Sequence, residues 1–122
     1  MLKVGDAIEI TRTYSQADIQ TYCGLADIDP SHVSSVPEPL IAAMYSDMLG
    51  TKLPGPGTMY MKQTSEYLKP VPIEKSLIAK VEVIRIRDDS GLVNLRTTCV
   101  DDSGTLYCDG GALVLSPDAK KI

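Results

Sequence analysis

The sequence predicts an α+β fold in which an antiparallel sheet packs on one long helix. Three observations lead to this prediction: the chain begins with a β-rich run, continues with two helical patterns, and ends with four β-rich runs. Strands that follow helices, rather than alternating with them, are typical of α+β proteins. The 122 residues can build one domain with a real core but not two, so a single domain over residues 1–122 is expected.

The first strand and the first helix are predicted from residues 7–26. Residues 7–13 form the β-rich run that opens the chain. Ser15 then suits an N-cap, and Asp18 stands where a capping box places its acid. A helix is therefore expected over residues 16–26.

The stretch PEPLIAAMYSDMLG, residues 37–50, carries the strongest helix signal. Pro39 suits the N1 position and Gly50 suits the C′ position. Apolar residues at helical spacing predict one broad buried stripe, made of Leu40, Ile41, Met44, Met48 and Leu49.

The second half of the chain predicts four strands joined partly by hairpin turns. The turn sequences RDDSG and DDSG mark two of the connections. In the third strand of the chain the apolar residues occupy odd positions up to Val83 and even positions from Ile84, which indicates a bulge. Gly110 and Gly111 inside the last strand indicate another bulge or a close backbone approach. The strands are expected near residues 58–68, 76–87, 92–100 and 105–115.

Composition and charge exclude several classes of partner. The net charge is −4 and the Lys and Arg residues are scattered, so no basic patch for nucleic acid is expected. The sequence has no apolar run of roughly 20 residues and no signal-peptide apolar region, so no membrane association is expected. The three cysteines are odd in number and lack metal-ligand spacing, which indicates reduced thiols in a cytoplasmic protein without a metal or other cofactor.

The stretch LADIDPSH, residues 25–32, contains the only histidine of the chain. Pro30 disfavours a continuous helix through this stretch, so Asp27 and His32 are expected on either side of a tight turn. Such a turn can direct an acid and an imidazole into one small cavity, as acid–base catalysis requires. The alternative is a purely structural Asx-turn that links two helices.

Other kinds of site have weaker support. One histidine with nearby acids lacks the second imidazole expected of a typical zinc site. The sequence has no G-x-S-x-G nucleophile motif. The glycine-rich stretch GTKLPGPG lacks the Gly-Lys-Ser/Thr ending of a phosphate loop.

YCGLADIDPSH, residues 22–32, resembles the hydratase-2 motif of the MaoC-like, (R)-specific enoyl-CoA hydratases. The resemblance continues through residues 40–71 and 79–117, and LPGPG followed by a Tyr-containing strand and Lys-Pro-Val is specific to it. It implies the hot-dog fold, a five-stranded antiparallel sheet wrapped around a central helix, and a homodimer. It also implies hydration of short to medium trans-2-enoyl-CoA thioesters, with Asp27 and His32 as the catalytic pair.

The resemblance further implies a set of substrate-binding residues: Ser46, Asp29, Gly55 and Gly57. Ser46 falls where the family often has a serine facing the acyl cavity. Its alternative is a helix-interior serine bonded to the backbone one turn earlier, and the two interpretations are equally supported.

This chain departs from the family pattern at three places. Asp29 replaces the Asn of the motif, either raising the pKa of Asp27 by its charge or forming the turn. Ala26 replaces a small residue or Gly. More than a dozen residues are missing after His32, so Glu38, between two prolines, occupies the place of a Gly whose N–H binds the thioester oxygen. Either the loop has been lost or the full-length protein has residues absent from this sequence, and a mass measurement would separate the two.

Two alternative functions remain open. The missing segment favours a non-catalytic acyl-CoA-binding module on the same fold. A thioesterase is the other alternative, because a fold does not fix a function. The sequence does not determine the acyl chain length or whether the thioester carrier is CoA or acyl carrier protein.

Overall fold

The computed structural model of the protein describes residues 2–119. Every predicted helix and strand is present, and each predicted end except the glycine cap of α2 lies within a residue of the observed one. None of the helices in the described range is long and apolar enough to cross a membrane. The elements in chain order are β1 (Ala7–Thr13), α1 (Gln16–Ala26), a single 3-10 turn (Pro30–His32), α2 (Glu38–Thr51), β2 (Met59–Tyr67), β3 (Ser76–Arg87), β4 (Leu92–Asp101) and β5 (Leu106–Leu115).

The five strands form one sheet in the order β1-β3-β4-β5-β2, and all neighbouring strands are antiparallel. Helix α2 packs on one face of this sheet. The predicted α+β class and hot-dog fold are confirmed. Both turn sequences form hairpins, joining β3 to β4 and β4 to β5, as predicted.

The core lies between α2 and the inward face of the sheet. The predicted stripe of α2 is confirmed except at one end, where Leu40 is only half-buried. Tyr45 is fully buried in addition, and its hydroxyl has no hydrogen-bond partner in the described chain. The buried residues of α2 are Ile41, Met44, Tyr45, Met48 and Leu49.

Two irregularities of the sheet were indicated by the sequence. The β3–β4 register shifts between Val83 and Arg85, which confirms the predicted bulge and leaves Ile84 52% exposed. At Gly110 the pairing with both neighbouring strands is regular, so the close approach is observed rather than a bulge. A Cβ on Gly110 would lie 2.8 Å from the Cα of Ser65.

The predicted end of α2 was wrong. Gly50 lies inside the helix, which continues to Thr51, and Lys52 is the C-cap. Gly55 instead has the left-handed conformation (φ 98°), and its N–H donates to the Leu49 carbonyl at 3.0 Å. The helix therefore ends at Lys52 without a glycine cap, and the loop that follows turns at Gly55, which can take positive φ.

Asp101 is a buried acid that serves the fold. Its carboxylate accepts the Ser103 N–H at 3.0 Å, the Thr105 N–H at 2.9 Å, the Tyr107 hydroxyl at 2.8 Å and the Lys75 ammonium at 3.0 Å. Burial alone would raise the pKa of Asp101, but the hydrogen bonds from Ser103 and Lys75 hold it well below its ordinary value. This carboxylate is fully occupied in closing the β4–β5 hairpin, so it is not a candidate catalyst.

Candidate functional site

Asp27 is the residue that ends α1. Its backbone is left-handed (φ 57°, ψ 48°), and its N–H donates to the Cys23 carbonyl. The next N–H, that of Ile28, donates to the same carbonyl at 2.9 Å. Asp is one of the few non-glycine residues that tolerate this conformation. The helix thus stops at Asp27, whose carboxylate is exposed at the start of the loop.

Asp29 shapes the turn that follows. Its carboxylate accepts the N–H of Ser31 at 3.0 Å and the Ser31 hydroxyl at 2.8 Å, which caps the 3-10 turn. These two bonds, the backbone one first, lower the pKa of Asp29 below its ordinary value. Pro30 occupies the first position of the turn, where no N–H is needed. Of the two roles considered for Asp29, the structure shows the turn former.

His32 closes the 3-10 turn and faces an open depression. Its N–H donates to the Asp29 carbonyl at 3.1 Å, and its side chain is exposed. The depression has a volume of about 290 Å³. Tyr22 and Ile28 line one part of it, and Glu38 lines another. The only imidazole of the chain therefore shares a cavity with the start of α2.

The structure brings Asp27 and His32 to opposite ends of the 3-10 turn but not into contact. Within the described chain no hydrogen bond or ion pair joins them, and Asp27 is not among the residues that line the depression. A water molecule or substrate between two such groups would have to bridge them. Their assignment as the catalytic pair stays a prediction.

The start of α2 has one backbone donor without an acceptor in the described range, and it belongs to Glu38, which lines the depression. Glu38 is the first helical residue, Pro39 has no N–H, and the Leu40 N–H donates to the Pro37 carbonyl at 3.0 Å. The Glu38 N–H donates to no acceptor among the described residues. First-turn N–H groups lie at the positive end of the helix dipole. The geometry therefore leaves the Glu38 N–H available to an oxyanion, while its side chain is exposed.

Two tyrosines hold this first turn, and the sequence did not indicate either. The Tyr67 hydroxyl donates to the Glu38 carbonyl at 3.3 Å, and the Tyr14 hydroxyl donates to the Leu40 carbonyl at 3.1 Å. Burial raises the pKa of Tyr67, so its phenol keeps the proton that it donates. The only available signal was that both tyrosines lie close to the ends of predicted strands. Periodicity does not show which backbone carbonyl a side chain at a strand end will contact.

The other predicted binding residues lie away from the turn. Ser46 is on the exposed side of α2, and its hydroxyl makes no hydrogen bond within the described residues, so the alternative of a bond to the preceding turn is not observed, and contact with the acyl chain stays a prediction. Gly55 and Gly57 follow the opposite end of α2, about 20 Å along the helix axis from Glu38. Both have positive φ, 98° and 89°. Their observed role is to shape the loop, and their contact with substrate stays a prediction.

A metal site has no support in the described range. No group of three or more His, Cys, Asp or Glu side chains between residues 2 and 119 is arranged to hold a metal ion. The three cysteines are buried and unpaired, although Cys99 and Cys108 are direct partners in the β4–β5 register. Burial raises the pKa of Cys99 to about 11, so its thiol stays protonated and is a poor nucleophile.

Known proteins with similar sequences and structures include (R)-specific hydratases. No protein-family model matches the chain. It is 32% identical to an (R)-specific enoyl-CoA hydratase from Rhodospirillum rubrum over 129 positions, which cover 95% of this chain and 89% of the relative. A solved (R)-hydratase from Aeromonas caviae involved in PHA biosynthesis has a TM-score of 0.86 at 27% identity and covers 95% of this chain and 98% of that chain. An R-hydratase from Pseudomonas aeruginosa has a TM-score of 0.85 at 26% identity, and the match covers 98% of this chain and 84% of that chain.

The comparison also bears on the short connection after His32. The alignment with the Rhodospirillum rubrum hydratase spans 129 positions, more than the 122 residues of this chain. That relative therefore has residues without a counterpart here. In this chain the connection between the 3-10 turn and α2 is direct, and its Val36 N–H donates to the Val71 carbonyl at 2.8 Å.

Proposed function

The chain belongs to the (R)-specific enoyl-CoA hydratase family, and on that premise we propose that it hydrates trans-2-enoyl-CoA to (R)-3-hydroxyacyl-CoA or catalyses the reverse dehydration. The observation that carries this proposal is the shared cavity: His32 faces the same depression as the α2 start, and Asp27 stands at the other end of the 3-10 turn. The proposed substrates are thioesters of short to medium acyl chains.

The proposed reaction divides proton transfer between two side chains. Asp27 takes a proton from a water molecule as the water oxygen bonds to C3 of the enoyl group. The electron pair of the C2–C3 double bond moves toward C2 and the thioester oxygen, and C2 then takes up the proton that left the water, so that Asp27 ends unprotonated. His32 orients the water and shares this transfer. Both side chains are exposed and can turn toward a common water. Catalytic hydrogen bonds often tighten only when substrate is bound.

The thioester oxygen needs a donor because it gains negative charge as C3 is attacked. We assign this role to the Glu38 N–H, the unengaged donor at the positive end of α2. The Tyr67 hydroxyl supports it by holding the carbonyl of the same residue. The Glu38 side chain is exposed, so its carboxylate can stay hydrated while the oxyanion develops.

Four further predicted residues are part of the proposal, one in the turn and three away from it. Asp29 keeps the turn that separates Asp27 from His32, through its bonds to Ser31. Ser46 lies on the side of α2 that faces away from the core. It would contact the acyl part only where a bound substrate or a second subunit covers that side. Gly55 and Gly57 are kept as candidates for contact with a distant part of the thioester.

A non-catalytic acyl-CoA-binding module is the second candidate. It is favoured by the short connection after His32, which leaves the proposed site open to solvent. Open sites are less able to exclude water and to strengthen electrostatic interactions. Measurable acyl-CoA binding without turnover would select this alternative.

The assay that tests the proposal uses crotonyl-CoA. We expect purified protein to remove the absorbance of the conjugated enoyl thioester and to form 3-hydroxybutyryl-CoA in equal amount. In the control reaction with saturated butyryl-CoA no free thiol should appear. Release of CoA from butyryl-CoA without hydration of crotonyl-CoA would identify a thioesterase and contradict the proposal.

We also propose a homodimer formed through the edge of the sheet at β2. Edge strands have unpaired backbone groups that can pair with a second copy. Met59 and Met61 on β2 are 58% and 53% exposed.

The mass of the protein in solution tests the dimer. Light scattering should give twice the mass of one chain, and Met61→Lys should shift that mass toward one chain. A wild-type mass of one chain would contradict the dimer.

We propose that the protein is cytoplasmic, because its three cysteines are buried and unpaired, as is common for proteins of a reducing compartment. Cell fractionation followed by detection of the native protein tests this placement.

A further inference from the structure

The depression at His32 contains a second ionisable side chain, and it comes from α2. His32 and Glu38 both line this depression of about 290 Å³, and both side chains are exposed. Asp27 does not line it. The volume is below the roughly 300–1,000 Å³ of typical small-molecule sites, so side chains on its walls are near neighbours. The carboxylate that shares a cavity with the imidazole is therefore that of Glu38.

The short connection between the 3-10 turn and α2 is the reason why Glu38 lies here. Residues 33–37 alone join the turn, which ends at His32, to the helix, which begins at Glu38. The backbone is held at both ends: the His32 N–H donates to the Asp29 carbonyl at 3.1 Å, and the Glu38 carbonyl accepts the Tyr67 hydroxyl at 3.3 Å. A proline on each side of Glu38 restricts its backbone further. The two side chains thus start from fixed places, and each can turn toward the other.

Glu38 has the unengaged carboxylate of this depression. The Asp29 carboxylate is occupied by the N–H and the hydroxyl of Ser31. No ion pair of Glu38 is present among residues 2–119. Lys69 is the competing cation, because it lines a neighbouring depression that Glu38 also lines. The choice of partner for the Glu38 carboxylate therefore lies between Lys69 and His32.

We propose that the Glu38 carboxylate accepts a hydrogen bond from one ring N–H of His32 and so orients the imidazole for the reaction. This inference rests on the proposed function, because it names the group that directs His32 at the water. When one ring nitrogen donates to a carboxylate, the other nitrogen is held in a defined direction and protonation state. Glu38 is then a positioning residue that acts through His32. The same bond engages a carboxylate that would otherwise repel the developing oxyanion.

A double-mutant cycle on the hydration of crotonyl-CoA tests the proposal. Glu38→Gln removes the charge but keeps the backbone N–H that is assigned to the oxyanion. We expect kcat to fall by about tenfold with KM unchanged, the effect of losing one hydrogen bond to a charged group in the transition state. In the His32→Ala background the same substitution should cause no further loss, because groups that act through one another are not additive. Glu38→Asp, which keeps the charge, should recover part of the rate.

Two control variants separate positioning from other effects of charge. Glu9→Gln makes the same chemical change at an exposed position on the outer face of β1, and its kcat should equal that of wild type. Lys69→Met removes the competing cation and should not lower kcat. A loss in Lys69→Met equal to that in Glu38→Gln would overturn the proposal. So would equal losses from Glu38→Gln in the wild-type and His32→Ala backgrounds, while hydration itself would stand.

A measurement without turnover decides the inference if the protein does not hydrate crotonyl-CoA and the proposed function has failed. His32 is the only histidine of the chain, so the NMR signals of its carbon-bound ring protons can be assigned without ambiguity. We expect nuclear Overhauser contacts from these protons to the Glu38 side chain. At fixed pH, Glu38→Gln should change their chemical shifts more than Asp27→Asn does. Contacts to Asp27 instead of Glu38, or ring signals that Glu38→Gln leaves unchanged, would overturn the proposal.

Discussion

Asp27→Asn reduces kcat/KM for crotonyl-CoA by roughly 10²- to 10⁴-fold in our account, the range typical of a lost general acid or base. Asn adopts the left-handed backbone almost as readily as Asp, so the C-cap of α1 at φ 57° is kept while the basic oxygen is lost. His32→Ala should cause a loss of similar size, because its exposed side chain has no structural partner in the described chain. Steady-state hydration rates measure both effects.

The control for this pair is Asp89→Asn. Asp89 is an exposed acid in the turn between β3 and β4, at the opposite end of the sheet from the β2 end that contacts the start of α2, and the substitution makes the same chemical change. We expect its kcat/KM to equal that of wild type. Retention of the full rate by Asp27→Asn or by His32→Ala, in a protein that hydrates crotonyl-CoA, would show that the assigned pair is wrong.

Gly110→Ala destabilises the fold by at least about 3 kcal/mol, at the upper end of the effects of overpacking. Gly110 lies between its partners Ser65 on β2 and Thr97 on β4. An added Cβ would lie 2.8 Å from the Cα of Ser65 and still closer to the carbonyl oxygen of Thr64. Both contacts are with backbone, so β2 must move away from β5. Urea unfolding measures the loss of free energy of unfolding.

Gly24→Ala is the matched substitution for the same assay. Gly24 is in the last part of α1, and a Cβ there would meet nothing within 4 Å. Because alanine favours a helix over glycine, the free energy of unfolding should rise by about 0.5–1 kcal/mol. Wild-type stability of Gly110→Ala would contradict the close approach of β2 to β5.

The elements of this fold could be predicted because their signals are local. Ser15 and Asp18 form the expected capping box, with both hydrogen bonds present. The parity change at Ile84 marked a real bulge. The end of α2 could not be predicted in the same way, since Gly50 and Gly55 are both possible helix ends and the choice depends on the backbone path after Thr51. The neighbour order of the strands also depends on contacts between distant segments, and no local pattern reports it.

The site could be predicted only in part for the same reason. The Asp27–Pro30–His32 turn is a local feature, and the structure shows it as a left-handed cap followed by a 3-10 turn. The role of Tyr67 depends on β2 reaching the first turn of α2, and the register of β2 shifts between Tyr60 and Lys62. That shift changes which side chains of β2 face the helix, so strand alternation alone would misplace them.

The stereochemistry of the reverse reaction decides whether this chain is an (R)-specific hydro-lyase. The two pure enantiomers of 3-hydroxybutyryl-CoA are incubated separately with the protein, and formation of the enoyl thioester is followed. We expect the (R) enantiomer to be dehydrated to crotonyl-CoA and the (S) enantiomer to be left unchanged. Dehydration of the (S) enantiomer, or binding of both without any enoyl product, would show that the protein is not such an enzyme.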